Sequence, residues 1–251
     1  MDLKYAVGLP TVGEFGDVRT LTDLAVSAER HGWHGVQLWD HLLSDEPGWP
    51  VASSTVAAAA IAARTSHIRI ILTVVLPRRQ VQEVAQDTAA IHTLSGGRLT
   101  VLATIGAYDR EYTDFGLDPD PRTRGKALDE GLDTLRRLWA EWGVEGIPIW
   151  CGGRWPRRVG LRRAARFDGV LATFEGHHTR NSPVDEVAAA TSFVRGLAGD
   201  GFDVAAEGAT EAATAREHIS PYAIAGLTWW VEALGWWRDD SAARIAEGPP
   251  S

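Results

Sequence analysis

Short apolar runs alternate with longer amphipathic segments along the whole chain, and this alternation constrains the fold more than any other feature of the sequence. The apolar runs have the length and composition of strands buried in a parallel sheet, whereas the longer segments repeat apolar residues at helical spacing. The predicted strands are Tyr5–Leu9, Gly35–Trp39, Ile68–Leu76, Leu99–Ile105, Ile147–Cys151, Gly169–Phe174, Phe202–Ala206 and Gly226–Trp230. The predicted helices are Leu21–His31, Val51–Arg64, Val81–Leu94, Arg124–Trp142, Pro156–Arg166, Val184–Leu197, Thr210–His218 and Trp236–Ala246. Eight such βα units are the number that closes a (β/α)8 TIM barrel.

The length of the chain agrees with one such barrel. Its 251 residues, of which 45% are hydrophobic, suit a single globular domain with a large core, and barrels of this class typically have about 250 residues. A doubly wound open sheet is the main alternative, but the G-x-G-x-x-G pattern that usually follows its first strand is missing. We therefore predict one α/β domain over residues 1–251.

Charge and cysteine content restrict the partners and the compartment. The net charge of -8 argues against nucleic acid or an anionic membrane as the main partner. Cys151 is the one cysteine, so no intrachain disulfide can form, and the first residues lack the apolar core of a signal peptide. No apolar run approaches the roughly 20 residues of a membrane helix. We expect a soluble cytoplasmic protein that acts on a small molecule.

Two glycines after the fifth predicted strand indicate a phosphate site. The strand is predicted to end at Cys151, and Gly152 and Gly153 would then let the main chain approach an anion beside the basic Arg154. The N-terminus of the next helix would add free N–H groups. The alternative is a plain strand, turn and surface helix. In a barrel this turn lies at the C-terminal rim, where active sites lie, and that position favours the phosphate interpretation.

An adjacent carboxylate and imidazole, Asp40 and His41, follow the second predicted strand. An imidazole titrates near neutrality and suits proton transfer. The alternative is that Asp40 caps the next turn and His41 is an ordinary loop histidine. Because adjacent strand residues point to opposite faces, the two side chains need not touch. Their position at the predicted active rim favours a catalytic role.

Candidate pocket residues follow the fourth predicted strand. Gly106 would let a flat ring approach the main chain, while Tyr108 and Glu111 are candidates for a pocket wall. A solvated acidic and aromatic loop is the alternative. In the third predicted strand Thr73 is the one polar side chain between Ile70 and Leu76, which makes it either a core residue or a ligand contact.

Neither covalent catalysis by the cysteine nor metal binding is favoured. Cys151 lies near basic residues that could lower a thiol pKa, but no His-Asn or His-Asp partner pattern accompanies it, so packing is the better interpretation. The histidines show no H-E-x-x-H pattern, and His177-His178 is an isolated pair without carboxylates at ligand spacing. No metal site is predicted.

Several motifs together resemble one protein family. The motifs are Asp40-His41, Leu94-Ser95-Gly96-Gly97-Arg98, Gly106 with Glu111-Tyr112 and Phe115-Gly116, Ile147-Pro148-Ile149 leading to Gly152-Gly153, Ala225-Gly226-Leu227-Thr228-Trp229-Trp230, and Gly248-Pro249-Pro250. In this order and over nearly the whole chain, the sequence resembles the bacterial luciferase-like class of flavin- and deazaflavin-dependent oxidoreductases. The Leu-Ser-Gly-Gly-Arg motif is the most specific of them.

The resemblance implies a barrel that binds coenzyme F420 or reduced FMN without a covalent bond, with the ring across the strand ends and the phosphate after the fifth strand. His41 would then face the reacting edge of the ring, supported by Asp40. The predicted cofactor contacts are Thr73, Val74, Gly106, Cys151, Gly152, Gly153 and Arg154. The predicted substrate pocket residues are Trp39, Tyr108, Glu111, Phe174 and Trp230.

The sequence departs from the family pattern in two places. Many members have a non-proline cis peptide after strand 3, and that strand usually contains glycine. Here the strand reads Leu72-Thr73-Val74-Val75, which argues against the cis peptide. The chain is also shorter than many members between Phe174 and Pro221, so the insertions that often cover the active site are reduced. We expect a more open pocket, or one closed by a second subunit of a homodimer.

The predicted function is F420-dependent hydride transfer to or from a small organic substrate, with His41 orienting the substrate or shuttling a proton. The alternative within the family is an FMNH2-dependent monooxygenase that uses oxygen and a separate reductase. A catalytically silent barrel with a binding or assembly role is the alternative outside catalysis.

Overall fold

The eight strands close into a parallel barrel in the order in which they occur along the chain. The structure is a computed structural model that describes residues 3–44, 46–175, 181–199 and 201–250. The strands are β1 (Lys4–Leu9), β2 (Gly35–Leu38), β3 (Arg69–Val75), β4 (Leu99–Thr104), β5 (Ile149–Arg154), β6 (Gly169–Thr173), β7 (Asp203–Gly208) and β8 (Trp229–Ala233). Each pairs in parallel with the next, and β8 pairs with β1. The predicted (β/α)8 barrel is confirmed.

Helices follow the strands and form the outer layer. They are α1 (Val18–Arg30), α2 (Ser54–Arg64), α3 (Val81–Leu94), α4 (Arg110–Thr113), α5 (Pro121–Glu141), α6 (Arg158–Ala164), α7 (Val184–Arg195), α8 (Ala215–Ile224) and α9 (Ser241–Ala246). Local sequence sets their starts: the Asp17 and Asp120 carboxylates accept the first free N–H groups of α1 and α5, and Pro121 begins α5. Among the helices that the structure describes, none has the length and apolar content needed to cross a bilayer.

The core has two parts because alternate strand residues point into the barrel or toward the helices. A small cluster fills the barrel interior: Ala6, Ile71, Leu102, Trp150, Leu171, Ala205, Trp229 and Val231. A larger cluster lies between the strands and the helices, and it includes Leu38, Leu72, Val74 and Cys151. Gln37, Thr73 and Gly152 are next to these outward-facing residues in their strands. Because side chains alternate along a strand, these three residues face the barrel interior.

The fifth strand is longer than the sequence predicted, and this corrects the position of the glycine pair. β5 continues through Gly152 and Gly153 to Arg154, so its predicted end at Cys151 is wrong. A Cβ atom on Gly153 would lie 2.9 Å from a methyl carbon of Leu161, and one on Gly160 would lie 2.7 Å from the Gly152 carbonyl oxygen. Gly153 and Gly160 therefore allow α6 to pack directly on the main chain of β5.

The last strand also differs from its prediction. β8 covers Trp229–Ala233 instead of Gly226–Trp230, because α8 continues to Ile224 and the chain turns at Gly226, which has a φ of +94°. Trp230 therefore lies near the start of its strand instead of at the C-terminal rim, and Ala233 occupies the rim position.

Candidate active site

The loops after β2 and β4 meet through a histidine and a carboxylate at the C-terminal rim. His41 Nδ1 lies 3.1 Å from Glu111 Oε1, and the Leu42 N–H donates to the same oxygen at 2.7 Å. The Glu111 side chain is 1% exposed and the His41 side chain 15% exposed. Glu111 thus fixes both the ring and the main chain of the His41 loop, while one edge of the imidazole remains reachable.

Arg78 ties the loop after β3 to this pair. Its Nη1 donates to Glu111 Oε2, and its Nη2 donates to the Asp40 carbonyl oxygen at 2.7 Å. The same Nη2 lies 3.4 Å from Asp40 Oδ2. The guanidinium is buried in the short turn Leu76–Arg78 that directly follows β3. Three successive βα loops are therefore joined by one arginine.

Asp40 is an anchor for these loops. Its Oδ1 accepts from Arg79 Nη2 at 2.5 Å and from the Ser54 hydroxyl at 3.2 Å, while its Oδ2 accepts from the Val75 N–H at 2.8 Å. The residue is 4% exposed. Its carboxylate is directed to the turn after β3 and to the start of α2, so it supports the loop main chain beside His41.

Both carboxyl groups are held in the charged form. Burial alone would raise the pKa of Asp40, but the charges of Arg79 and Arg78 bring it below its ordinary value. Burial would likewise raise the pKa of Glu111, but the hydrogen bond with His41 and the charge of Arg78 lower it. Because a carboxylate can only accept a hydrogen bond, the Nδ1–H of His41 donates to Glu111, and in the neutral imidazole Nε2 is then the acceptor.

Two of the predicted pocket residues surround His41. The ring of Tyr108 lies 4.9 Å from the imidazole, and the ring of Trp39 lies 5.8 Å from it, centroid to centroid. Both side chains are half-buried. The structure therefore brings together Trp39, His41, Tyr108 and Glu111 from the sequence-predicted set.

Two polar side chains and two glycines lie near this rim of the barrel. Thr73 faces the interior and accepts from Gln37 Nε2 at 2.8 Å, while the buried Oε1 of Gln37 has no hydrogen-bond partner in the described part of the chain. Gly106 follows β4 with a φ of +73°, and a Cβ atom there would lie 2.9 Å from a Val75 methyl carbon. Gly152 faces the interior beside Thr104. Val75 and Thr104 thus fill the space beside the two glycines, and Thr73 and the Gln37 amide oxygen are the polar groups here that a bound ring could contact.

The remaining predicted residues lie elsewhere. Val74 and Cys151 face the helices, and burial raises the pKa of the Cys151 thiol to about 12, so no thiolate is present near neutrality. Phe174 is buried in the core cluster just beyond β6. Trp230 packs outward with its ring 5.1 Å from that of Tyr222. Arg154 is exposed at the end of β5.

The sequence analysis missed Arg78 and Arg79. A signal was present, because two adjacent arginines follow strand 3 directly, between carboxylates that follow strands 2 and 4. Strand ends that are neighbours in a parallel sheet bring such opposite charges together.

Among the described residues, neither a metal-ligand cluster nor a cis peptide after β3 is found. Over the residues that the structure describes, no group of three or more His, Cys, Asp or Glu side chains could hold a metal ion. His177 and His178 lie outside the described residues. The one cis peptide within the described ranges precedes Pro156, and none follows β3.

The architecture and the site define a class: the (β/α)8 barrels in which polar side chains meet on the loops at the C-terminal rim, where enzymes of this fold have their active sites. The sequence model of the luciferase-like monooxygenases matches residues 6–250, and the chain belongs to this family.

Two relatives that match part of the sequence are F420-dependent dehydrogenases. The chain is 28% identical over 149 residues to the F420-dependent glucose-6-phosphate dehydrogenase of Segniliparus rotundus, which covers 56% of this chain and 43% of the relative. The equivalent protein of Gordonia bronchialis is 29% identical over 144 residues, 55% of this chain and 43% of the relative. The matched region thus spans less than half the length of these relatives.

Solved structures share the fold at low sequence identity. An F420-dependent secondary alcohol dehydrogenase in complex with an F420-acetone adduct has a TM-score of 0.76 and 14% identity, covering 92% of this chain and 93% of the other. The F420-dependent tetrahydromethanopterin reductase of Methanopyrus kandleri has a TM-score of 0.75 and 15% identity, covering 98% and 97%. The oxygenating constituent of 3,6-diketocamphane monooxygenase from Pseudomonas putida, solved with FMN, has a TM-score of 0.67 and 14% identity, covering 87% and 71%.

Proposed function

We propose that this protein transfers a hydride between coenzyme F420 and a small organic alcohol or ketone. The observation that carries the proposal is the contact of 3.1 Å between His41 Nδ1 and Glu111 Oε1 at the barrel rim. A pair of this kind fixes the imidazole tautomer and leaves Nε2 to take the proton of a substrate hydroxyl. The names of the F420-dependent relatives support the choice of cofactor.

In the proposed reaction each of the residues around His41 would have its own role. His41 would accept the hydroxyl proton at Nε2 as the hydride leaves the carbinol carbon, and Glu111 would stabilise the imidazolium that forms. Arg78 and Asp40 would hold the loops that carry the pair. The deazaflavin, when bound, supplies the carbon that accepts the hydride. In the reverse direction His41 would return the proton to the ketone oxygen.

Several positions fit a cofactor of this shape. The Gln37 amide oxygen is a buried acceptor without a protein partner in the described residues, and Thr73 lies beside it. Arg154 is exposed at the end of β5 and could bind an anionic group. These residues would hold the ring and the start of its side chain.

The basic residues after β5 favour F420 over FMN. Arg157 and Arg158 are exposed next to Arg154, and Arg158 packs 4.9 Å from the ring centroid of Phe193. An anionic tail longer than one phosphate would contact more of these cations than FMN can. The proposal therefore expects them to contribute to F420 binding in particular.

Fluorescence titration with F420 and with FMN tests this proposal. We expect F420 to bind and Arg157→Gln to weaken that binding about two- to fivefold, the effect of one exposed ion pair, with little change for FMN. Arg137→Gln, an exposed arginine on α5 paired with Glu141, is the matched control and should have no effect. Tight FMN binding without F420 binding would exclude the proposal.

The second candidate function is an FMNH2-dependent monooxygenase. The family description and the FMN-bound diketocamphane monooxygenase favour it. Oxygen consumption by the FMNH2-loaded protein that increases with added substrate would support this function over hydride transfer to F420.

A further inference from the structure

An aromatic surface extends from His41 across the β8 side of the barrel rim. We define the aromatic cluster as Trp39, Trp49, Tyr108, Trp236 and Trp237. Trp39 stacks on Trp237 at 5.9 Å with an interplanar angle of 24°, and Trp236 lies edge-on to Trp237 at 4.9 Å. Trp49 extends the cluster, with its ring 5.4 Å from that of Trp236. The imidazole of His41 touches both Trp39 and Tyr108, so the cluster begins at the proposed reacting group.

Main-chain glycines hold two of these rings in place. A Cβ atom on Gly13 would lie 2.5 Å from a ring carbon of Trp49, and one on Gly235 would overlap the ring of Trp237. The isolated bridge between Val12 and Val51 brings the loop after β1 to the loop that carries Trp49. Because Trp49 and Trp237 lie directly on main chain, these two rings are fixed, and Trp39 and Trp236 pack against them. Trp236 is 40% exposed, so the cluster has an open face.

The arginines next to the cluster are already neutralised by carboxylates. Arg78 pairs with Glu111 and Arg79 with Asp40 beside His41. Arg238, which follows Trp237 in the chain, pairs with Glu232 at 2.8 Å and with Asp240 at 3.0 Å. A phosphate group bound here would have to compete with these carboxylates for the cations, which costs binding free energy.

We propose that the substrate side of the site takes a flat, uncharged ring compound that carries an alcohol or ketone oxygen. The ring stacks on the aromatic cluster and the oxygen reaches His41, whereas a phosphorylated sugar is disfavoured. This inference rests on the proposed function for the role of His41. Stacking on fixed aromatic side chains favours planar apolar rings, and Trp39, Trp236 and Trp237 are the specificity-determining residues.

Saturation-transfer NMR and calorimetric titration of the full chain, with and without F420, test the inference with 2-naphthalenemethanol and glucose 6-phosphate as probes. We expect the naphthyl alcohol to bind at least tenfold more tightly than the sugar phosphate. Trp236→Ala should weaken it about tenfold, because it removes an aromatic contact, and Trp236→Phe should restore most of the affinity. Trp142→Ala is the matched control, since Trp142 is 45% exposed at the end of α5, and it should change nothing.

The outcomes separate this inference from the proposed function. Tighter binding of glucose 6-phosphate, or equal losses with Trp236→Ala and Trp142→Ala, would overturn the inference even if F420 binds. Binding of the naphthyl alcohol through Trp236, in a protein that does not bind F420, would support the aromatic substrate site and reject the proposed function. A dimer that dissociates on Trp236→Ala, without naphthyl alcohol binding to either form, would show that the cluster is covered by a second copy, and would also overturn it.

Discussion

Glu111 is the residue on which the geometry of the site most depends. Its two oxygens face His41, two main-chain N–H groups of the following loop and the guanidinium of Arg78. The Glu111 side chain is fully buried, so water screens its charge little and each of these contacts is strong. A group in that position controls both the orientation of the imidazole and the stability of the loops.

Glu111→Gln removes the charge of this side chain and keeps its shape. The amide keeps an oxygen for the Leu42 N–H but leaves Arg78 with Asp40 alone. We expect a loss of about 3 kcal/mol in the free energy of unfolding, the low end for breaking a buried ion pair. We also expect turnover to fall with little change in KM, and the imidazole of His41 to lose its Nδ1–H preference in nitrogen NMR spectra, because the carboxylate that selects this tautomer is gone.

Glu141→Gln is the control for charge removal without burial. Glu141 pairs with Arg137 on the exposed face of α5, at 3.2 Å, and such pairs contribute little to stability. If both variants lose the same stability, or if Glu111→Gln leaves the tautomer unchanged, then Glu111 does not position His41.

At the scale of elements, the contact between β5 and α6 depends on glycines. Gly160 lies against the main chain of Gly152 and Gly153, where a Cβ atom would be 2.7 and 2.8 Å from its neighbours. Those neighbours are backbone atoms, which cannot move aside as a flexible side chain would. Because Gly152 faces the barrel interior, any shift of β5 would also be felt at the proposed cofactor position.

Gly160→Ala should therefore destabilise the protein by about 1 to 3 kcal/mol, the usual cost of overpacking. Urea unfolding followed by tryptophan fluorescence measures this loss. Gly199→Ala is the matched control, because nothing lies within 4 Å of the position a Cβ atom would occupy there, and its effect should stay within about 0.5 kcal/mol. A Gly160→Ala variant as stable as the parent would show that α6 does not need this close approach.

The elements show which parts of the fold the sequence could predict. The limits of α3 were predicted as observed, and β1 to β4 within one or two residues, since their apolar periodicity is undisturbed. β8 was placed three residues too early, since the predicted strand ended at Trp230, before Val231 and the charged Glu232. In the structure Glu232 is fully buried within β8 and paired with Arg238, and its burial depends on how the closed barrel packs.

Residues of the candidate site were named from the sequence where one segment carries the signal, and they were missed where several segments must meet. Asp40, His41 and Glu111 were named because they directly follow predicted strands or their loops. The contacts of Arg78 exist only when the loops after β2, β3 and β4 come together, and that requires the closed barrel. Glycines next to each other in a sequence do not show whether they make room for a ligand or for a helix, and Gly153 makes room for α6.

For the whole molecule, buried and partly buried carboxylates join elements around the barrel. Asp40 and Glu111 connect the loops after β2, β3 and β4. Asp129 joins α5 to α6 through two hydrogen bonds from Arg163, at 2.8 and 3.0 Å, and these bonds, with the charges of Arg163 and Arg166, lower its pKa. All three groups have a lower pKa in the folded than in the unfolded state, so the folded protein favours their charged form.

The stability that these groups contribute is complete above the carboxyl pKa of the unfolded chain, which is about 4, and is lost as the pH falls through the lower folded values. We expect the free energy of unfolding in urea to be nearly constant from pH 7 to pH 5 and to fall steeply below about pH 4. Asp129→Asn should lower the free energy of unfolding at pH 7. It should also reduce the loss of stability in acid, because the variant lacks one carboxylate that binds a proton more readily in the unfolded chain.

Asp133→Asn is the control for this pH dependence, since Asp133 lies on the same helix and its side chain is 69% exposed, 3.8 Å from Arg166. It should leave the shape of the pH profile unchanged. Equal free energies of unfolding at pH 7 and pH 3 would mean that the carboxylates gain nothing from their arginine partners. The loops at the rim would then have to be held by apolar packing alone, and Glu111→Gln would be expected to cost no stability.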